Sequence, residues 1–586
     1  MKLQKSQWPN TAEAECTRTF AERVLELTDH YSNDSYRHRT LSTSNKAFEL
    51  AKWAMSVRQG LVPKPTLFEM IDEYIESLKD DPIIDEICEH DGIPRSSLMV
   101  SRTDSIEKML ASFKLYRDLI FPKYEDAAKR AIIQAALLGK KGKIKIVKLA
   151  EYYIPHILLT ERSREIVHIS AKREFFLAPG ETSSQDRIRG FYHEVEPQQR
   201  SFQILIKCHK DLAGYLSTLL NSEIQEHREL PAHFRATVKP TRDSFLQRRF
   251  EGTDPFMAAR SMKLVTDILK SFSFIYPQKS EKSTIFAIYS FDPVSGAVYR
   301  VEPDEFLNMG SAVRDPRART RSIKTLARFA LGSQNEKEEQ APEIFDALLT
   351  ATSASQISDT NARLASLWSA FEALLPTPMK DGVKSTRITH FAGMITPLAS
   401  FTYSRDIFYG MYADLSREDF CAQFYSFVDQ HGCGDNRFEK FLSVFFLSTK
   451  KKREFIKIFS ASPLLMLRAH NLDLIANDPE RLRHTIDCHK MRVYWQIHRI
   501  YRARNDIMHN ADSPPFSRPL FENATSYFKS LVLTLLSASD RYRLREVHSL
   551  VELCIALQNE HDEQISRLSA KAPREALFHA VRGPIP

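Results

Sequence analysis

A mainly α-helical protein with a small mixed α+β middle region is predicted by three observations. Glycine is scarce, 17 in 586 residues, while Leu, Ala, Glu, Lys and Arg, all strong helix formers, are abundant. Apolar residues recur at three- and four-residue steps through the first 150 residues and again from about Glu343 onward. Between these tracts lie the runs in which β-rich residues flank turn residues. The chain is too long for one hydrophobic core. Four segments are expected: a helical N-terminal region 1–150, a mixed α+β region 151–330, a helical region 340–560, and a tail 561–586.

Composition narrows the class further. With 43% hydrophobic and 27% charged residues, the chain reads as a globular protein. The net charge of +8 is compatible with a nucleic-acid partner without demanding one. Seven scattered cysteines, none in a Cys-x-x-Cys pair, argue against a disulfide framework and for a reducing, cytoplasmic location. The start, MKLQKSQWPNTAEAE, has no signal-peptide apolar core, and no run approaches the ~20 apolar residues that span a bilayer. No membrane partner is expected.

The elements follow in order. NKAFELAKWAMSVRQ reads as an amphipathic helix with Phe48, Ala51, Trp53, Ala54 and Val57 on its face. Pro63 and Pro65 break it, and a second helix begins at TLFEMIDEYIESLKDD with Thr66 as its cap. EDAAKRAIIQAALL is helical and stops at Gly139. Next, Lys143, Ile144, Lys145 and Ile146 alternate, which predicts a short solvated basic strand. The spacing of Gly139 and Gly142, with no Ser or Thr after Lys143, excludes a phosphate loop. REIVHISA is read as another strand, and DPFMAARSMKLVTDILKSFSF as a helix. TIFAIYSFDPVSGAVYRVE predicts a hairpin about the turn residues DPVSG. LGSQNEKEEQAPE reads as a surface linker before the last, helical domain.

The chemistry concentrates in IHRIYRARNDIMHN. An Arg followed by a His some residues later recurs by chance, as at Arg162/His168 and Arg483/His489, so that spacing alone carries little. Arg504, however, is the only Arg followed directly by Asn. It also interrupts an apolar stripe of Val493, Ile497, Ile500 and Ile507, where a charge is costly unless it is paired or binds an anion. Beside that stripe runs a second row, His498, Arg502, Asn505 and His509. Pro514 and Pro515 end the helix, which places His509 near a loop within reach of a substrate. The plain structural alternative is an Arg504 salt bridge with His509 as a helix C-terminal cap.

An earlier helix, NARLASLWSAFEALLP, carries Leu364, Leu367, Trp368, Phe371, Leu374 and Leu375 on one face, with Glu372 beside Trp368. LWSAFEALL followed by IYRARNDIMHN and a further amphipathic helix resembles the Apea-like HEPN domains of bacterial antiphage systems, over roughly residues 345–555. The resemblance implies that 340–560 is an antiparallel, HEPN-like helical bundle that dimerises so that two clusters face one cleft, with 151–330 left to sensing or RNA positioning. It implies a metal-independent endoribonuclease of abortive infection, with Arg504 binding phosphate, Asn505 positioning it and His509 as acid/base. Glu372, Arg502 and His498 are supporting residues. No cofactor and no metal are implied. RNA (tRNA among the candidates) would be the substrate and a phage-derived signal the trigger. Where this chain departs from the pattern is a long insert between the two motifs, holding QHGCGDN and TKKKREFIK.

Two basic tracts are weaker candidates for RNA contact: Lys140, Lys141, Lys143 and Lys145, and Lys450, Lys451, Lys452 and Arg453. His484, Cys488 and His489 have helical ligand spacing but no second pair to complete a site. Two rivals to the ribonuclease share its residues: a HEPN-type module that binds RNA or a nucleotide without cutting it, and a structural helical interaction protein.

Overall fold

The computed structural model describes residues 8–9, 11–29, 41–160, 162–178, 182–263, 265, 285–301, 324, 326, 342–357, 359–376, 387–510, 514, 516–569 and 572–584. The chain is mainly α-helical and divides into two compact units, one made of 1–155 with 310–586 and the other of 156–309. The N-terminal helices therefore share a unit with the C-terminal ones.

In the first unit the N-terminal part contains α1 (Ala12–Thr28), α2 (Thr43–Arg58), α3 (Phe68–Asp80), α4 (Pro82–Asp91), α5 (Ile106–Leu115), α6 (Phe121–Leu137) and α7 (Lys143–Leu158). Caps set several starts: Thr11, Ser42 and Ser105 each accept a backbone N–H of the following first turn. The expected cap at Thr66 is corrected, because Pro63 and Pro65 lead instead into a 3-10 turn, Lys64–Leu67, that runs straight into α3. The buried seam of α2 is Ala47, Leu50 and Ala54, while Phe48, Trp53 and Val57 are only half-buried beside it. The strand expected at Lys143–Ile146 is also corrected to helix. Its four-residue alternation is outweighed by Ile146, Leu149, Ala150, Tyr153, Ile154 and Ile157, all buried at helical spacing.

The C-terminal part holds α12 (Pro342–Gln356), α13 (Thr360–Leu374), α14 (Arg387–Ala399), α15 (Tyr403–Leu415), α16 (Cys421–His431), α17 (Arg437–Val444), α18 (Thr449–Lys457), α19 (Pro463–Asn477), α20 (Pro479–Asn505), α21 (Ser517–Tyr542), α22 (Val547–Arg567) and α23 (Arg574–Arg582). Helix α20 is central, packed against α13, α14, α21 and α22 and, from the N-terminal part, α3. The long insert between the two motifs builds its own aromatic core, with Phe408, Phe424, Phe441, Phe455 and Phe459 buried together. Residues 561–586, expected as a tail, begin as the end of α22 and continue to α23, whose Leu577, Ala580 and Val581 are buried. The expected linker 331–341 lies outside the described residues.

The second unit contains α8 (Arg164–Lys172), α9 (Ser184–Val195), α10 (Lys210–Leu220), α11 (Ala232–Thr237) and strands β1 (Arg200–Cys208), β2 (Ile224–Gln225), β3 (Ser244–Gly252), β4 (Ile285–Phe291) and β5 (Val298–Val301). The five strands form one antiparallel sheet in the order β2-β3-β1-β4-β5. Phe202, Ile204 and Ile206 of β1 meet Leu216 and Met262 in one core, while Leu205, between them, joins Phe234 and Phe245 in another. The expected β4–β5 hairpin is present, closed by Asp292 N–H donating to Ala297 O at 3.0 Å, with Gly296 at φ +68°. REIVHISA, expected as a strand, is helix α8. Ser163 caps it, and Val167, Ser170 and Ala171 are buried at three- and four-residue steps. The helix expected after Asp254 spans 255–263, its first turn capped by that carboxylate; residues 266–274 lie outside the described residues.

Candidate active site

Helix α20 begins at Asp478, whose carboxylate accepts from Glu480 N and Arg481 N, with Pro479 at the first helical position. It runs 27 residues to Asn505 and then widens into a π-helical turn, Asp506–Asn510. Such turns displace side chains from the regular 3.6-residue register. Arg504 and Asn505 thus end the regular helix, and His509 sits in the widened turn.

Arg504 is half-buried. Its Nη1 donates to Asn505 Oδ1 at 3.0 Å, while its Nε is buried without a hydrogen-bond partner. Among the described residues no carboxylate pairs with it. His509 is exposed, one turn further on. Of the expected apolar stripe, Val493, Ile497 and Ile500 are buried and Arg504 follows them at the edge of the core, while Ile507 is half-buried in the π turn. The first three are buried within this chain.

The neighbouring row divides. Asn505 bonds Arg504 and His509 is exposed in the π turn, whereas His498 and Arg502 are each only 7% exposed. Arg502 approaches Glu49 of α2 at 3.8 Å, and His498 lies 4.6 Å, centroid to centroid, from the Tyr494 ring. Burial, helped by the Arg502 charge, pushes the His498 imidazole down to about 3. Burial also lowers Arg502 from its usual value, against the pull of Glu49. These two residues stand behind the cluster in the protein interior.

Beside them is a set of charges that sequence reading missed. Arg499 is 2% exposed; its Nε donates to Glu49 Oε2 at 2.9 Å and its Nη1 to Glu73 Oε1 at 3.1 Å. Burial alone would raise the Glu73 carboxyl, but Arg499 and then Lys46 pull it down to about 2. Lys52 of α2 reaches Asp506, the first residue of the π turn, at 3.4 Å. Helix α2 is thereby tied to α20 up to the turn that holds His509. The only available sequence signal was Arg499 itself, a charge one step from Ile500 and two from Ile497.

Glu372 of α13 is half-buried and committed. Its Oε1 accepts from Trp368 Nε1 at 3.0 Å and pairs with Arg387 Nη2 at 3.1 Å. The Trp368 ring packs 5.3 Å from that of Tyr501, one turn before Arg504, so α13 buttresses the end of α20. The two basic tracts differ in what they leave available. Lys143 pairs with Glu15, Lys452 with Asp473 at 2.6 Å and Lys451 with Glu454 at 2.9 Å. Lys140, Lys141, Lys145, Lys450 and Arg453 are exposed. His489 stacks on Tyr403 at 3.5 Å, leaving the adjacent His484 and Cys488 3.6 Å apart as a pair. Among the described residues no three or more His, Cys, Asp or Glu side chains gather as metal ligands would.

No protein-family model, no curated protein and no solved structure matches the chain.

Proposed function

We propose that this chain is a metal-independent endoribonuclease, acting as a homodimer in bacterial antiphage defence. The observation that carries the reading is Arg504: a half-buried guanidinium with no carboxylate partner among the described residues, oriented by Asn505, one turn from an exposed imidazole. A charge held at a core edge without a counter-ion is suited to an anion supplied from solution.

RNA brings both the anion and the nucleophile. The 2′-oxygen attacks the adjacent phosphorus and the P–O5′ bond breaks, so a 2′,3′-cyclic phosphate and a 5′-hydroxyl form. The proton leaves the 2′-OH to a base, and the departing 5′-oxygen takes one from an acid. His509 supplies one of these roles, and its counterpart across a dimer supplies the other. Arg504 donates in a planar fork to the phosphoryl oxygens as their charge grows. Asn505 holds that fork in place. DNA, without a 2′-OH, is not cut by this route.

The test is incubation of the purified full-length protein with RNA in EDTA, followed by analysis of the fragment ends. Cyclic phosphate and 5′-hydroxyl ends that vanish in His509→Ala are expected. Ends bearing 5′-phosphate, or cleavage that survives His509→Ala, overturn the reading. RNA bound by Arg504 but left intact replaces it with a binding function.

A further inference from the structure

The corner between α6 and α7 carries three large aliphatic side chains in the open. Leu137 is 54% exposed, Leu138 58% and Ile144 71%, a value matched among the described large hydrophobics only by Leu61 and Val294. Single exposed apolar residues need no explanation, but three within eight residues do. No other stretch of the described chain holds such a group. Interleaved with them are Lys140, Lys141 and Lys145, all exposed and without an ion pair among the described residues.

The backbone enforces this presentation. Gly139 sits at φ +59°, and a Cβ on Gly142 would fall 1.9 Å from Ala135 O, so the connection turns tightly against the end of α6. Lys143, between the exposed groups, turns inward to Glu15. Ile146 and Leu149 of the next turns are fully buried. The corner is thus anchored from beneath by a salt bridge and core residues while its aliphatic and cationic side chains stay outside.

The chemistry of the patch selects its occupant. Single-stranded RNA would use aromatic faces for base stacking, and the patch has none. A second copy docking symmetrically would bring like charges together. The buried centres of protein interfaces are depleted in lysine, which here makes up half the patch. Aliphatic side chains beside unpaired lysines suit the boundary of an anionic bilayer, where the former enter the acyl region and the latter meet lipid phosphates. We propose that the α6–α7 corner is a peripheral docking site for an anionic membrane surface. The contact proposed is superficial and reversible, made by three aliphatic side chains and three lysines. It is independent of the RNA-cleaving reading.

The experiment is sedimentation of the full-length protein with vesicles of phosphatidylcholine, alone or mixed with phosphatidylserine, across a salt series. Binding to the mixed vesicles that salt reverses is expected. Leu138→Ser with Ile144→Ser, which leaves the charge unchanged, should weaken it by roughly tenfold or more. Lys140→Ala with Lys141→Ala should weaken it by about fivefold per lysine. Circular dichroism unchanged in both variants keeps the comparison valid, and if either unfolds, Ile144→Ser alone, largely exposed in the first helical turn, replaces it. Equal binding to both vesicle types, no binding, or binding that the serine variants retain overturns the proposal. So does an RNA oligonucleotide or acidic protein that occupies the same lysines while vesicles do not.

Discussion

Arg504 and Arg499 lie five residues apart on one helix and meet opposite electrostatic fates. Arg499 is enclosed by two carboxylates, and among the described residues Arg504 is held by the amide of its neighbour. A guanidinium already neutralised has little to offer a phosphate; an unneutralised one keeps its donors. Arg504→Lys keeps the charge but loses the planar fork. Under the ribonuclease reading it should lower kcat by roughly 100-fold with little change in melting temperature, read by single-turnover cleavage and a thermal melt. His498 gives a different residue-scale expectation. Its folded pKa of about 3 lies below the ordinary imidazole value of 6.5, so the unfolded chain takes up a proton first as pH falls. Its contribution is intact above 6.5 and is lost progressively toward 3. His498→Leu should flatten that part of the stability–pH curve, measured by urea unfolding; an unchanged slope would place His498 in water. Glu73, folded value about 2 against 4.5, loses stability in the same direction at lower pH. Asp81 runs the other way: burial raises it from 3.8 to about 6, so its contribution is full below 3.8 and is lost as pH rises through 6.

At the scale of elements, α2 and α20 are joined by charges rather than by a broad apolar seam. Glu49 meets Arg499 and Arg502, and Lys52 meets Asp506. Arg499→Ala leaves Glu49 and Glu73 buried with only the more distant Arg502 and Lys46 opposite them among the described residues, and should cost about 3 kcal/mol. Arg499→Met combined with Glu49→Gln and Glu73→Gln should recover much of that loss, because the uncompensated charges go with the arginine. Lys52 is half exposed, and Lys52→Ala should cost under about 1 kcal/mol. Chemical denaturation of the three variants separates these outcomes. The α6–α7 connection makes a second demand. Gly142→Ala puts a methyl group into Ala135 O and should destabilise by about 1–3 kcal/mol, since backbone, unlike a side-chain tip, has nowhere to move.

For the whole molecule, the sharing of one unit by 1–155 and 310–586 changes what a fragment can report. The C-terminal segment 340–586 alone would leave Arg499 without Glu49 and Glu73. It would also strip the start of α19 of Glu22, which accepts from Ser462 Oγ at 2.8 Å and Leu464 N at 3.0 Å. Such a fragment is expected to be insoluble or to lack a cooperative melt. A soluble, cooperatively melting 340–586 fragment would show that the N-terminal helices are dispensable to the fold. Regulation of the candidate site is therefore better probed in the full chain, by substitutions on α2, than by truncation.

The sequence by itself determined what depends on neighbours in the chain. Helical periodicity placed several helices, DPVSG placed the β4–β5 turn, and the spacing of Arg504, Asn505 and His509 placed them at a helix end, because helix and turn geometry are local. Where a local pattern was short, it misled: the alternation at Lys143–Ile146 and the β-rich REIVHISA yielded to helices whose buried rows extend beyond them. Only the tertiary structure decided the rest. It set Glu49 against Arg499 across 450 positions, turned His498 and Arg502 inward while His509 stayed in solvent, and docked 574–582 as a helix. Each of these depends on which surfaces lose water when distant segments meet. Desolvation belongs to the packed fold, and no window of the sequence contains it.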